Sequence, residues 1–376
     1  MGLTARDSFS YLLLVEEGLF FRRLLYHREH YPKADDIIGL IEVPFAALIC
    51  HDALPFINRT FGVGLREDYD EITRIRHQTK SFDPKFFSFE EYSRDVDSIL
   101  DGLNRQMKSH AGILAPIANA LQPDIGIFYY QLVPICATYT VSYYVAPSGK
   151  PMTSEKAINV GFETGQAAAI LFCLAERYYA SQAFAVPPFI AQANDRNMAT
   201  LIRKYRHKWG AADSSLFFLL TERMMQLASV DALKAGGFLN DALWCKLATV
   251  SLFHTFKSLG SFETYARSGK GGQHYSSELL EEISGLFSRK ERKALKKMAS
   301  LRNAMVHYDF PEKLISSVNN GTSPYDVLAM AVKSALGMSL VEYHAFLVEL
   351  RARLIDDLKK LTDFPDYSKW CDPDFR

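Results

Sequence analysis

The chain has 376 residues, enough for two to three domains with a sizeable hydrophobic core. Hydrophobic residues make up 48% of it and charged residues 23%, which is typical of a packed globular protein and excludes a disordered chain. Lys plus Arg and Asp plus Glu number 43 each, so no overall charge attracts DNA or an anionic membrane. Any site for a polyanion must therefore be a local patch.

The five cysteines are widely separated and lack the spacing of a zinc site or a redox motif. They are Cys50, Cys136, Cys173, Cys245 and Cys371. We therefore expect reduced thiols, mostly in the core, and no metal cofactor. The first six residues lack the basic start and apolar core of a signal peptide, which favours a cytoplasmic location.

Residues 125–149 carry no charge and are numerous enough to span a bilayer. However, the stretch contains Gln131, Pro134 and several Ser, Thr and Tyr residues, whose polar groups are costly in lipid. We therefore expect a buried, aromatic-rich helix or strand pair here, with a transmembrane span as the alternative.

Helical periodicity dominates the chain and predicts an all-α fold. In the first part the apolar spacing predicts helices over residues 8–30, 87–121, 153–184, 195–208 and 214–232. We expect residues 1–210 to form an irregular helical N-terminal domain whose role the sequence does not specify, and residues 211–235 to form a connecting helix.

Paired glycines at 236 and 237 indicate a helix end and a turn. Beyond them, helices are predicted over residues 238–266, 276–286, 288–308 and 324–362. Ser288 is a suitable N-cap, and Ser323 followed by Pro324 fits an N-cap followed by a proline in the first turn. We therefore expect residues 236–376 to form a four-helix bundle.

Three polar residues, Arg302, Asn303 and His307, lie near the end of the predicted helix 288–308. Asn303 and His307 are four residues apart and therefore share a face. Arg302 projects at the edge of the apolar face, where a guanidinium needs a carboxylate, backbone carbonyls or a phosphate as a partner. His307 lies in the last turn, where the helix dipole favours the imidazolium, which suits a general acid.

Basic residues precede this group on the same helix. Lys296 is seven residues before Asn303 and lies about 20° from it around the helix axis, and Arg289 and Lys293 lie within about 80°. The stripe predicts an RNA-binding face that leads to Asn303 and His307. The alternative is an ordinary solvated helix face.

The looser pattern Arg-x4-His is not specific, because it also occurs from Arg22 to His27 and from Arg105 to His110. Of the three matches to Arg-x4-His, only the one at Arg302 has an Asn directly after the Arg. The longer pattern is therefore the one that carries information.

This stretch resembles the Arg-Asn-x3-His signature of HEPN domains (higher eukaryotes and prokaryotes nucleotide-binding), which are four-helix bundles of many prokaryotic toxins and antiviral defence proteins. The resemblance covers about residues 236–365 and is specific at Arg302, Asn303 and His307. It implies metal-independent RNA cleavage, a homodimer that brings two copies of the motif into one cleft, and a regulatory or antitoxin protein as a partner. Some family members have a Tyr two positions after the His, but here Tyr308 follows at once and Asp309 occupies the second place, so regulation by adenylylation is not implied.

The residue types fit this chemistry, because RNA supplies its own nucleophile, the 2′-OH. His307 would transfer protons, Arg302 would hold phosphate oxygens, and Asn303 would orient the imidazole or the phosphate. Four residues are accessory candidates: Tyr308, Asp309, His254 and Lys257. The last two, on the predicted helix 238–266, face either the cleft, the solvent or the core.

The sequence thus predicts an endoribonuclease that acts on RNA such as tRNA or mRNA. One alternative is a non-catalytic RNA-binding or protein-interaction module that dimerises through the same bundle. Another is a structural subunit of a larger complex.

Overall fold

Helices make up most of the chain, as the periodicity predicts, and the fold is predominantly all-α. The computed structural model describes residues 5–32, 35–80, 82, 88–107, 123–146, 153–179, 186–210, 213–268, 275–310 and 324–365. Within these ranges there are thirteen helices. They are α1 (Ala5–His30), α2 (Asp35–Phe61), α3 (Asp70–Gln78), α4 (Phe89–Met107), α5 (Thr138–Val145), α6 (Ser154–Tyr179), α7 (Met198–Trp209), α8 (Ser214–Ala235), α9 (Asp241–Arg267), α10 (Ser277–Gly285), α11 (Arg289–His307), α12 (Pro324–Leu336) and α13 (Leu340–Thr362).

A small antiparallel sheet interrupts the helices. Its strands are β1 (Ile125–Tyr130), β2 (Val133–Ala137) and β3 (Gln192–Arg196), in the order β2-β1-β3. Gln131 and Leu132 connect β1 to β2 with φ angles of 48° and 68°, which allow a tight two-residue hairpin turn. The uncharged stretch from residue 125 is therefore a strand pair followed by α5, in agreement with the expectation of buried structure.

Several helix ends lie where the sequence predicts them. Ser288 caps α11 and forms a capping box with Glu291. Helix α8 ends at Ala235, and Gly237 follows with a φ of 78° that favours glycine. Helix α12 begins at Pro324, while Ser323 lies outside the described residues.

One prediction about the helices is wrong, and two helices were missed. Residues 324–362 form two helices instead of one, because Gly337 has a φ of 76° and Ser339 starts a new capping box. Helices α2 and α3 were not predicted at all; α2 contains Pro44 and Pro55, which normally interrupt a helical pattern.

The hydrophobic core runs without a break from Phe9 in α1 to Phe364 after α13. Helix α1 packs on α6 and also reaches α9 and α12, and α2 packs on α11. The buried guanidinium of Arg351 in α13 joins this helix to α8 and α9: it donates to Leu227 O and Asp231 in α8 and to Ser251 Oγ in α9. Elements from the first 80 residues therefore lie directly against the helix that carries the predicted motif.

Two helices are long and apolar enough to cross a membrane by length and composition alone. They cover residues 37–61, where 67% of the most apolar window is buried, and residues 154–176, where 17% is buried. The first is a core helix. The second exposes Ile158 and Phe162.

The cysteines of the described ranges are free thiols. Cys50, Cys136 and Cys245 are buried, as expected, whereas Cys173 is exposed on α6. Cys371 lies outside the described residues.

Candidate active site

The predicted motif occupies the last two turns of α11. Arg302 is buried, whereas Asn303 and His307 are exposed on the same side of the helix. The helix ends directly after His307, because Tyr308 adopts a left-handed conformation with a φ of 53°. His307 is thus held at a helix C-terminus, where the dipole favours a positive charge.

A buried carboxylate in α2, Asp52, holds the His307 ring. Its Oδ1 accepts a hydrogen bond from His307 Nδ1 at 3.1 Å and from His51 Nδ1 at 3.2 Å, and its Oδ2 accepts from Arg76 Nε at 3.0 Å. The carboxylate is 4% exposed, the His51 side chain 33% and the His307 side chain 54%. One buried anion therefore orients two histidines at the protein surface.

The charge state of Asp52 follows from these contacts. Burial alone would raise the pKa of the carboxyl, but the hydrogen bonds from His307 and His51 and the charge of Arg76 hold the pKa well below its usual value. Asp52 is therefore ionised at neutral pH. An ionised carboxylate at Nδ1 fixes the ring and stabilises the imidazolium.

The guanidinium of Arg302 contacts two side chains that fix its position. Its Nη1 donates to Asn303 Oδ1 at 2.9 Å, and its Nη2 donates to His254 Nε2 at 3.0 Å. The guanidinium also lies over the Phe253 ring, 5.9 Å from its centroid. The amide and imidazole partners differ from the carboxylate, carbonyls or phosphate expected from the sequence.

His254, an accessory candidate, is a buried member of this group. Its Nδ1 donates to Thr79 O at 3.1 Å, so Nε2 is the acceptor for Arg302 and the ring is neutral. Burial and the nearby charges of Arg302 and Arg76 hold the pKa of His254 well below its usual value. His254 therefore positions Arg302 and is not exposed to the cleft.

Tyr308, also an accessory candidate, is buried and closes the end of α11. Its hydroxyl donates to Glu17 Oε2, and Lys246 Nζ donates to Glu17 Oε1 at 2.6 Å. The ring stacks on Phe56 at 5.0 Å, and Ser10 Oγ donates to the backbone carbonyl of Tyr308 at 3.1 Å. The residue after His307 is thus anchored to α1, α2 and α9.

A groove of about 1,090 Å³ lies beside the motif, between α9, α11 and the start of α4. Five aromatic side chains line it (Phe82, Phe89, Phe253, Phe256 and Tyr265), together with four basic ones (Lys257, Arg267, Arg292 and Lys296). Arg267 and Arg292 are paired with Glu263, whereas Lys257 and Lys296 form no ion pair with any described residue. Two exposed ammonium groups are therefore available to an anionic ligand.

The structure brings some of the predicted site residues together and leaves others apart. Lys257 and Lys296 line the groove, and Phe253 joins the groove to Arg302. Arg289 and Lys293 are exposed on α11, but they are not among the described residues that line the groove. Asp309 is exposed just beyond the end of α11.

His51, Asp52 and Arg76 were missed by the sequence analysis. They come from α2 and α3, about 230 residues or more before the motif, and nothing in the spacing connects them to it. The adjacency of His51 and Asp52 gave little signal, because residues one apart on a helix point about 100° away from each other.

A third histidine, His77, lies near this group. Its ring centroid is 6.4 Å from that of His51, and Lys80 Nζ is 3.4 Å from His77 Nδ1. Burial and the charges of Lys80 and Arg76 lower the pKa of His77. Within the described ranges, no group of three or more His, Cys, Asp and Glu side chains is arranged to hold a metal ion.

Comparison with models of protein families, with curated proteins and with solved structures finds no match to this chain.

We predict that Tyr308→Phe lowers the free energy of unfolding by about 1–3 kcal/mol, because the buried Glu17 carboxylate loses a hydrogen-bond donor. Urea denaturation followed by circular dichroism measures the change. Tyr26→Phe, at a half-buried position of α1, is the control. A loss no larger than that of the control would contradict the anchoring role of Tyr308.

The lowered pKa of His254 predicts a pH-dependent stability. As the pH falls below about 6.5, the unfolded chain takes up a proton at His254 that the folded chain does not, so the folded state loses stability. In His254→Gln this loss is absent. The difference in free energy of unfolding between the wild type and His254→Gln should therefore shrink by about 1 kcal/mol from pH 7.5 to pH 5.5.

Urea titrations at both pH values test this, with His207→Gln, at an exposed position of α7, as the control. A difference that does not change with pH would show that His254 titrates normally in the folded protein.

Proposed function

We propose that this chain is a metal-independent endoribonuclease of the HEPN type, which cleaves RNA by attack of the 2′-OH on the adjacent phosphorus. One observation carries the proposal: an exposed imidazole, His307, is fixed at a helix C-terminus by the buried, ionised Asp52, next to the exposed amide of Asn303. This combination supplies a proton-transfer group and a hydrogen-bond donor at one surface position.

The reaction needs few protein groups. The 2′-oxygen attacks phosphorus, its proton goes to a base, the bond to the 5′-oxygen breaks, and that oxygen receives a proton from an acid. The products are a 2′,3′-cyclic phosphate and a free 5′-OH. We assign the acid role to His307, because Asp52 and the helix C-terminus both stabilise its charged form.

Asn303 is assigned to the phosphate. Its Oδ1 accepts from Arg302, so its Nδ2 carries the hydrogens that remain available on the exposed side. These hydrogens would donate to a non-bridging phosphate oxygen. Arg302, buried against His254, acts mainly by positioning Asn303 and by placing a positive charge under the phosphate.

The groove supports an RNA polymer as the substrate. Lys257 and Lys296 would neutralise phosphates, and the aromatic side chains offer surfaces for stacked bases. Ala299 lines the groove one turn before Asn303, so a strand in the groove would lead to the motif. Arg289 and Lys293 would extend this basic face along α11.

The resemblance to HEPN domains also supports a biological setting. We propose that the protein acts as a toxin or an antiviral defence effector, as a homodimer in the cytoplasm, under the control of a regulatory or antitoxin protein. The N-terminal helices would then shape substrate choice or control activity, because α2 contributes Asp52 to the site.

One observation favours the non-catalytic alternative. The two described partners of the Arg302 Nη atoms are protein side chains, so the guanidinium is used in part to hold the fold. An RNA-binding or protein-interaction module would use it in the same way.

We predict that the purified protein cleaves tRNA or total RNA in EDTA and leaves 2′,3′-cyclic phosphate ends. His307→Ala and Arg302→Ala should each lose about 10²-fold or more in rate while keeping the helical circular dichroism spectrum. His207→Ala, which changes an exposed histidine of α7, should cleave at the wild-type rate.

His307→Ala purified by the same procedure separates this activity from a contaminating nuclease, and chemical mapping of the product ends identifies the reaction. Cleavage by His307→Ala at the wild-type rate would overturn the assignment. A folded wild type that neither cleaves nor binds RNA would favour the interaction module.

We also predict that the double variant Lys257→Ala/Lys296→Ala binds single-stranded RNA more weakly. The slope of log affinity against log salt should fall in magnitude by about 1.4, or 0.7 for each lost phosphate contact. Fluorescence anisotropy with a labelled oligoribonucleotide, titrated at several salt concentrations, measures the slope.

Lys290→Ala/Lys297→Ala removes the same charge from exposed positions of α11 that do not line the groove, as far as the described residues show. If both double variants change the slope equally, the effect comes from the overall charge of the protein, and the RNA does not bind in the groove.

A further inference from the structure

His51 and His307 are both oriented by the same carboxylate oxygen of Asp52. Both Nδ1 atoms donate to Oδ1 of Asp52, at 3.2 Å and 3.1 Å. Because each lies about 3 Å from the same oxygen, the two nitrogens are at most about 6 Å apart. One carboxylate oxygen therefore holds both imidazoles at a single position on the protein surface.

Each ring donates from Nδ1 to Asp52, and its Nε2 forms no hydrogen bond with any residue that the structure describes. A third of the His51 side chain and half of that of His307 are exposed, so both rings reach the surface, although the carboxylate between them is buried. The Oδ2 of Asp52 is occupied by Arg76, which leaves Oδ1 to the two histidines. Asp52 can therefore support either ring in its charged state.

The surroundings of the two rings differ. His307 is at the C-terminus of α11, where the dipole favours the imidazolium. His51 lies within α2, close to the cationic Arg76 that shares Asp52 and to the ring of His77 with its neighbour Lys80. The helix C-terminus beside His307 therefore assigns the acid role to that ring and leaves the base role to His51.

We propose that His51 is the general base of the cleavage reaction, so that one protomer carries both proton-transfer groups. This inference rests on the proposed ribonuclease function and assigns the second histidine to the same chain, where the resemblance implies a histidine from a dimer partner.

In the proposed step, Nε2 of neutral His51 takes the proton of the 2′-OH while the 2′-oxygen forms a bond to phosphorus. The bond from phosphorus to the 5′-oxygen breaks, and Nε2–H of the His307 imidazolium gives its proton to that oxygen. The enzyme is left with a protonated His51 and a neutral His307, and exchange with water restores both.

The test separates acid from base by the leaving group. An oligoribonucleotide with one cleavable linkage is compared with the same molecule carrying sulfur in place of the 5′-bridging oxygen, because a thiolate leaves without a proton. The variants are His307→Asn and His51→Asn, in which the amide nitrogen can still donate to Asp52 in place of Nδ1.

We expect both variants to cleave the oxygen substrate about 10²-fold or more slowly than the wild type in single-turnover assays. On the sulfur substrate, His307→Asn should recover most of the wild-type rate, whereas His51→Asn should stay slow. His207→Asn is the matched control, since His207 is exposed on α7.

Three results would overturn the assignment of His51. The first is a His51→Asn variant that is as fast as the wild type while His307→Asn is slow, which leaves the ribonuclease function intact. The second is recovery of His51→Asn, and not of His307→Asn, on the sulfur substrate. The third is a wild type that cleaves neither substrate, which overturns the ribonuclease function as well.

Co-expression of the two variants tests whether both groups act within one chain. If His51 and His307 of the same protomer form the pair, mixed assemblies contain no intact pair and stay inactive. Restored cleavage would show that the pair is formed across two protomers, which contradicts the proposal. Circular dichroism is recorded for each variant to check that it is folded. If His51→Asn does not fold, His51→Gln is used in its place.

Discussion

The candidate site depends on one ionised carboxylate in a place where an unpaired charge would be costly. Asp52 is 4% exposed, and a carboxylate at such a position must be paired and hydrogen-bonded. Arg76, His51 and His307 meet that requirement together, and in doing so they join α2 and α3 to the end of α11. The same contacts that satisfy the buried charge leave two imidazoles oriented at the surface.

Other buried polar groups fix the elements around this carboxylate. The carbonyl of Thr79, just after α3, accepts from His254 in α9 and from Arg223 in α8, and Ser258 Oγ donates to the carbonyl of Lys80. On the other side, Tyr308 is held by Glu17 of α1. The N-terminal helices are thus part of the framework of the site, and their packing sets the distances between the rings.

The sequence predicted the local features of the site and missed the distant ones for a physical reason. The four-residue spacing of Asn303 and His307 and the N-cap at Ser288 are properties of a single helix, and both appear as expected. The contact between Asp52 and His307 joins residues far apart in the chain, so no periodicity reports it. The helix that carries Asp52 was not predicted, because α2 contains two prolines and proline normally interrupts a helix.

The same distinction applies to the roles of individual residues. The helical spacing placed Arg302 at the edge of the apolar face, and the structure shows Arg302 buried. The spacing could not show that an imidazole and an amide would be partners of the guanidinium. Lys296 and Lys257 come from two helices, and only the packing of α9 against α11 puts both in one groove.

The most direct test of the account is the rate of metal-free cleavage of a defined RNA by Asp52→Asn. This change keeps the size of the side chain and removes the charge that orients both histidines. We predict a loss of about 10²-fold or more in single-turnover rate in a protein that keeps its helical circular dichroism spectrum. A folded Asp52→Asn variant that cleaves RNA as fast as the wild type would contradict it.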